Sequence, residues 1–402
     1  ASPQKTLSLG GVRAFQREVS FRGSRSLNER SSRCPLRKGG TVHPLIRQVI
    51  KKSRLTYLWF TRILGAKNHN DVPLGTKLDM NLRGGYLADQ YVMYDLENND
   101  RSQYLSEFDW YRSRWINEPF DPMLNNKVVA TEVLKHVAFV PEIFVIKNKG
   151  RIFDYGAPAT FASTEDVLKA VRAAGSVFMK PIGMGKGRGI HRIDAPVQLQ
   201  GGTTQADSRR WEIDGRTVKK EDVADLLDHS DGWLLCETIK QHPQLAQIFP
   251  DSTNTVRVIT LREPADGSFK VFFGVLRLGT KATVPVDNGS RGGLVAKIDL
   301  ADGSLSTART LWSDVIHEVH PDTGAQISGT VVPGWEDIKT EALRLARLFP
   351  YLQFVAWDIL MTDTGPCVIE ANTSSGINII QLWGPQRHGE LGDFYRAHGV
   401  IR

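Results

Sequence analysis

The runs Phe354-Val-Ala-Trp-Asp358-Ile-Leu-Met361 and Cys367-Val-Ile-Glu370-Ala-Asn372 flank the turn-like Thr362-Asp-Thr-Gly-Pro366. Both are apolar apart from two carboxylates and one amide, and they read as a β-hairpin. Side chains alternate faces along a strand. If Met361 pairs with Cys367, Asp358 stands opposite Glu370, and Asn372 lies on the same face two residues on. Facing carboxylates repel unless a cation sits between them. A hard divalent cation prefers oxygen ligands and keeps nucleotide phosphates among them. Asp358, Glu370 and Asn372 are therefore candidate ligands for one or two Mg²⁺. An exposed acidic face is the plainer alternative, and the apolar character of both strands weighs against it. Trp357 alternates to the opposite face and reads as packing.

Upstream, Gly183-Met-Gly-Lys-Gly-Arg-Gly189 places four glycines at alternate positions. Glycine lets the backbone approach a ligand closely and point its amides at phosphate oxygens. The spacing is not that of a P-loop. The loop also leads into strand-like Ile190-His-Arg-Ile193 rather than a helix, which excludes a dinucleotide turn. A strand–flap–strand over phosphates remains. Lys180, at the end of the incoming strand Val177-Phe-Met-Lys-Pro181, suits a phosphate clamp.

Between these landmarks the pattern mixes helices with largely antiparallel strands, an α+β class. Ser163-Thr-Glu-Asp166 reads as a capping box opening a helix that Gly175 closes. Helices are expected over about 125–137, 220–229 and Trp335–Leu348, and around Trp110, Tyr111 and Trp115. Strands are expected at Trp233–Glu237, Thr255–Leu261, Val271–Gly279 and Gly292–Asp299.

The 402 residues carry 51 Lys or Arg against 44 Asp or Glu, a net charge of +7. Residues 1–67 alone hold 15 basic side chains and two acids, so the remainder is mildly acidic. Residues 1–43 read as a basic, flexible arm. From Pro44 onward, Ile46, Val49, Ile50, Tyr57, Phe60 and Leu64 recur at helical spacing. Such a basic amphipathic helix can lie on a membrane or a partner. The expectation is that it covers its own core. No aromatic-interleaved basic repeat or zinc finger points to nucleic acid. Apolar residues at 41% and charged residues at 24% are globular values that exclude wholesale disorder, and no apolar run is long enough to span a bilayer. Cys34, Cys236 and Cys367 are too scattered for a disulfide framework or a zinc cluster, and a reducing, cytoplasmic setting is the default. His317 and His320 lack zincin spacing.

Taken in order, Asn-Lys127 heading a helix, Phe-Met-Lys180-Pro, the glycine flap, Cys-Glu237, Asn254-Thr-Val-Arg257, Asp358 and Glu370-Ala-Asn372 resemble the ATP-grasp superfamily over about residues 120–385. The branch most resembled is the sugar-transfer associated one, with more distant similarity to glutathione synthetase and the ribosomal-protein glutamate ligases. The resemblance implies two α+β subdomains, 121–240 with the flap and 241–402 with the hairpin, gripping a nucleotide behind a helical region at 44–120. It implies that Lys127 and Lys180 hold the α- and β-phosphates. Gly183, Gly185, Lys186, Gly187, Arg188 and Gly189 would close over the β- and γ-phosphates. Glu237, Thr238 and Ile239 would bind adenine and ribose, and Asp358, Glu370 and Asn372 would carry Mg²⁺. Arg257, Arg277 and Asn288 would act near the transferred phosphoryl group, with Gly292 and Gly293 beside it. Where the family often has a Pro-Gly substrate loop, this chain has Thr373-Ser374-Ser375-Gly376.

The implied reaction activates a carboxylate as an acyl phosphate with ATP and couples it to an amine, releasing ADP and phosphate. The substrates would be small molecules, acidic or linked to a glycan. A phosphotransferase that stops at a phosphorylated product and a non-catalytic nucleotide-binding module are the alternatives.

Overall fold

In a computed structural model of the chain, residues 44–156, 163–183, 189–196 and 210–402 are described. The basic arm at 1–43 and the flap residues Gly185, Lys186, Gly187 and Arg188 lie outside them. The chain divides into two compact units, Ala1–Ile50 and Lys51–Arg402. In the first, the described residues open the helix Pro44–Leu58, and Leu45, Ile46, Val49 and Ile50 are exposed. Everything below concerns the second unit.

Among the described residues, fourteen strands form two seven-stranded sheets. In the first half of the chain, β1 (Ile143–Asn148), β2 (Arg151–Asp154), β3 (Ser176–Pro181), β4 (His191–Asp194), β5 (Trp211–Ile213), β6 (Arg216–Val218) and β7 (Trp233–Glu237) assemble in the order β2-β1-β7-β3-β4-β5-β6. In the second half, β8 (Val256–Arg262), β9 (Phe269–Leu278), β10 (Leu294–Ile298), β11 (Leu305–Arg309), β12 (Ile316–His317), β13 (Phe354–Thr362) and β14 (Gly365–Asn372) assemble as β12-β11-β10-β9-β8-β13-β14. All pairings within these sheets are antiparallel. The β5–β6 hairpin carries too little apolar pattern to read from sequence. The α+β expectation holds.

The first sheet is covered on one face by Thr164–Ala174 and Lys220–His229. Val167, Leu168 and Val171 of one helix and Val223 and Leu227 of the other bury against Val177, Met179 and Ile193. Thr164–Ala174 starts where expected, with Ser163 and Asp166 capping reciprocally, and ends at Gly175 with φ +77°. Such a cap is worth about 1 kcal/mol. The opposite face presents Ile143, Phe178, Leu234 and Cys236.

The second sheet is covered on both faces. Trp335–Leu348 lays Trp335, Ile338, Ala342 and Leu345 against Val258, Leu276 and Trp357. On the other side, the helices of residues 51–113 and the segment from Ile377 to Ile401 pack over Ile259, Phe273, Val275 and Ala356. Toward one end of that face β8, β9, β13 and β14 carry charged residues.

Three expectations need correction. Asn126 is the N-cap rather than a helical residue, and the helix it opens, Lys127–Leu134, stops three residues before Val137. Trp115 falls beyond the helix Glu107–Ser113, which holds Trp110 and Tyr111. The apolar stripe of the first helix does not cover a core. Tyr57 and Phe60 are exposed, while Leu55, Leu58, Trp59 and Ile63 are the residues packed inward. Periodicity gives the relative phase of apolar side chains, but it does not say which of two apolar faces finds a partner.

Candidate functional site

The hairpin pairs as β13–β14, with Asp358 opposite Glu370 and Ala356 opposite Asn372. The route to that pairing differs from the expected one. Cys367 pairs with Leu360, and Met361 pairs with Pro366. A one-residue irregularity between Asp358 and Ile359 skips Ile369 and restores the carboxylate pairing. Bulges re-aim side chains in this way next to functional sites. Asp358 and Glu370 thus share one face, while Trp357 is fully buried on the other with its indole N–H donated to Thr260.

Across the neighbouring strands the row continues. Asp358 is opposite Arg257 on β8, and Arg257 is opposite Val275 on β9, two residues from Arg277. The Asp358 carboxylate is 2% exposed. It accepts from Arg257 Nε and Nη2, each at 2.7 Å, and from Arg277 Nη1 at 3.0 Å. Burial by itself would raise its pKa. The guanidiniums of Arg257 and then Arg277 overcome this and hold the carboxyl below the ordinary range. Burial would likewise lower Arg257, but Asp358, with Glu370 and Asp287 further off, raises it above its ordinary value.

Arg277 spans two carboxylates. Its Nη2 donates to Asp287 Oδ1 at 2.7 Å, and Asp287 also accepts the Thr255 amide at 2.9 Å and the Thr255 hydroxyl. Burial pushes Asp287 up despite Arg277 and Thr255. Asp287 and Thr255 were missed by sequence reasoning. The available signal was a lone acid inside Val-Pro-Val-Asp-Asn-Gly, a stretch otherwise short of charge.

Asn288 turns its side chain to local work. Its Oδ1 accepts from the Ser290 amide and hydroxyl at 3.0 and 2.8 Å, capping the short turn Gly289–Arg291. Gly292 follows with φ +104°, and a Cβ on Gly293 would lie 2.9 Å from the Asn288 carbonyl carbon. Both glycines are therefore required by the loop that presents Asp287.

The opposing wall comes from the first sheet. Lys180 sits on β3 opposite Leu234, on the same face as Phe178, whose ring centroid lies 5.6 Å from Nζ. Lys127, at the first turn of its helix, sends Nζ to 3.3 Å from Glu370 Oε1, and its amide binds the Ile182 carbonyl just beyond β3. Lys127, Lys180, Leu234, Cys236, Val368 and Glu370 line one cleft. The structure thus brings Lys127, Lys180 and Glu370 together, and Glu370 joins them to the Asp358–Arg257–Arg277 row. Glu237 ends β7, where its amide binds the Glu142 carbonyl. Thr238 Oγ1 accepts from Ser176, and Ile239 packs with Leu360 and Cys367, so this segment crosses from one sheet to the other. Cys236 and Cys367 are buried, and burial pushes the Cys367 thiol to about 12, which keeps it unreactive. His320 is spent on structure, bonded to the Gly279 carbonyl and stacked on Phe249.

Beyond Asn372 the chain turns back into the N-terminal helices. Thr373 Oγ1 accepts from Asn125 and donates to Asp121, each at 2.9 Å, and the Thr373 carbonyl accepts from Asn117 at 3.0 Å. Ser374 and Ser375 hold buried hydroxyls with no partner among the described residues. Gly376 follows with open space around its Cβ position.

As a cation site the donor set is two carboxylates and an amide on adjacent strands. Among the described residues, no group of three or more His, Cys, Asp and Glu gathers to hold a metal, at this site or elsewhere. Glu370 and Asn372 fit a hard cation, because both are half-exposed, Glu370 lines the cleft and Asn372 has no side-chain partner among the described residues. Asp358 fits as a shared donor through Oδ1, which accepts one guanidinium N–H and keeps a second lone pair, whereas Oδ2 already accepts two.

A family model for sugar-transfer associated ATP-grasp proteins matches residues 109–387. The chain belongs to the sugar-transfer associated ATP-grasp family. No curated protein matches the sequence. Among solved structures, this ATP-grasp chain is similar to the N5-carboxyaminoimidazole ribonucleotide synthetase of Thermotoga maritima, at 12% identity and a TM-score of 0.31 over 62% of this chain and 42% of that one. It is similar to the D-alanyl-alanine synthetase A of Vibrio cholerae, at 13% identity and a TM-score of 0.34 over 63% and 56%. It is also similar to the VanG D-Ala:D-Ser ligase of Enterococcus faecalis, at 15% identity and a TM-score of 0.34 over 68% and 57%. The chain thus spans about half the length of these structures.

Proposed function

We propose that the protein is an ATP- and Mg²⁺-dependent ligase that activates a carboxylate as an acyl phosphate and couples it to an amine. Support comes above all from one observation: the buried Asp358–Arg257–Arg277 row is joined through Glu370 to Lys127 and Lys180 across one cleft. The proposed subdomains are 121–240, which carries Lys127, Lys180 and the flap, and 241–402, which carries the carboxylate row.

In this proposal Lys127 and Lys180 bind the α- and β-phosphates, and the chain from Glu237 to Ile239 holds adenine and ribose. Glu370, Asn372 and Asp358 would hold Mg²⁺, which would supply neutralisation of phosphate charge during transfer of the γ-phosphoryl group from ATP to the carboxylate. Arg257 spends Nε and Nη2 on Asp358, which leaves Nη1 to bind the transferred group. The phosphoryl transfer turns an oxide leaving group into phosphate. The amine then attacks the carbonyl carbon and expels phosphate, forming the amide. Positioning and charge neutralisation account for the rate, as is usual for this chemistry. The Ser374 and Ser375 hydroxyls, without a partner among the described residues, and the open Gly376 suit an acceptor loop.

The test is turnover with ATP, Mg²⁺ and panels of acids and amines, following ADP, phosphate and amide together, with hydroxylamine to trap the acyl phosphate as a hydroxamate. Lys180→Met and Glu370→Gln should each lower turnover by about 100-fold or more. Unchanged turnover in either variant sinks the assignment. A stable phosphorylated product with no hydroxamate would mean a phosphotransferase, and ATP binding without turnover would mean a binding module.

A further inference from the structure

Residues 51–84 present apolar side chains that the fold leaves uncovered. On the first helix and its continuation, Tyr57 and Phe60 are 66% and 57% exposed. On the next helix, Leu74–Gly84, the residues Leu74, Leu78 and Leu82 are 71%, 45% and 56% exposed. Spacing by four puts these leucines on one line. The helix cannot roll to hide them, because Met80 is buried on its other side and the buried Asn81 is pinned by its Nδ2 donating to the Tyr86 carbonyl. None of the five lines the nucleotide cleft.

The charge around them is one-sided. Residues 51–84 hold seven Lys or Arg and two Asp, a net +5. Two of the basic residues are engaged, Lys51 with Glu118 at 3.0 Å and Arg83 with Asp79 at 3.4 Å. Lys52, Arg54, Arg62 and Lys67 are exposed and make no ion pair among the described residues. At 100° per residue, Arg54 lies about 60° from Tyr57 on the first helix, while Lys52 is exposed about 140° away.

We propose that this segment docks the protein on an anionic lipid surface. Protruding leucines and aromatics beside long basic side chains fit the boundary of a bilayer, where apolar groups enter the acyl region and ammonium and guanidinium heads remain at the phosphates. Each basic side chain held there adds attraction to acidic headgroups. The excess of cations that make no ion pair among the described residues singles out an anionic surface over a neutral one. Docking here differs from insertion, since no helix among the described residues is long and apolar enough to cross a membrane. The catalytic cleft would stay in water, free to take a soluble nucleotide.

The experiment is vesicle co-sedimentation of the full chain, comparing phosphatidylcholine with vesicles containing about a third phosphatidylglycerol. The full chain should bind the anionic vesicles only, and raising salt should release it. Leu78→Glu combined with Leu82→Glu, and separately Lys52→Glu combined with Arg54→Glu, should each weaken binding by about tenfold or more while ATP binding stays unchanged. These positions are on the surface, so both variants should fold. Absence of binding to anionic vesicles overturns the proposal, as does equal binding to neutral vesicles. So does a concentration-dependent dimer in light scattering that the leucine variant dissolves without any vesicle binding, because a second copy would then cover the stripe.

Discussion

Replacing Arg277 with methionine tests the charge row directly. Arg277 is the only cation bonded to Asp287 among the described residues, at 2.7 Å, and one of two bonded to Asp358. Methionine keeps much of the volume and removes the charge. Asp358 retains both bonds from Arg257 and stays ionised. Asp287 is left as a buried carboxylate with only Thr255 donating to it. Removing one partner of a buried pair costs about 3–5 kcal/mol, and that is the expected loss at pH 8. Burial already raises Asp287 above its unfolded value, and loss of Arg277 raises it further. A carboxyl raised in the folded state binds its proton more tightly there, so stability is gained as pH falls toward the unfolded pKa. The penalty should therefore shrink between pH 8 and pH 5, by about 1.4 kcal/mol for every tenfold gain in the folded carboxylate's proton affinity. Adding Asp287→Asn removes the stranded charge but keeps an acceptor for Thr255. The double variant should be more stable than Arg277→Met alone and should lose the extra pH dependence. Urea unfolding at several pH values measures all three. A penalty under about 1 kcal/mol, a pH-independent penalty, or a double variant no better than the single would refute the reasoning.

Two further outcomes follow from the same geometry. Asp358 is held below its ordinary value of 3.8, so the stability it contributes is present above that pH and is lost as pH falls through the lower folded value. Wild type should therefore lose ground to Asp358→Asn only below about pH 4, as read from denaturation midpoints. Thr373→Val should leave Asp121 without its hydroxyl donor and cost about 1–3 kcal/mol. Because that bond anchors the loop after Asn372, the variant's KM for the acceptor should rise more than its KM for ATP. A uniform change in both would detach Thr373 from the acceptor loop.

Much of the site could be read from the sequence because its elements are local. Period-two alternation put Asp358 and Glu370 on one face, and a capping box at Ser163 and a stripe through Ile338, Ala342 and Leu345 placed two helices. Each rests on contacts a few residues apart, where the chain's own geometry leaves one solution. The pairing of Asp358 with Glu370 survived an incorrect register at Met361 only because the irregularity at Ile369 compensates for it. A bulge has no local signal in an otherwise apolar strand.

The amino-acid order thus determined which side chains share a strand or a helix face, since fixed backbone periods set that without reference to the rest of the molecule. Tertiary structure alone decided which charges meet and which apolar faces stay open. Asp287 reaches Arg277 through a loop, and Lys127 reaches from its helix to Glu370 on the second sheet. Tyr57 and Phe60 face solvent because Leu55, Leu58 and Trp59 took the inward side of the same helix. Those outcomes depend on which distant segment each charge or helix face meets, and no short window of sequence contains both partners.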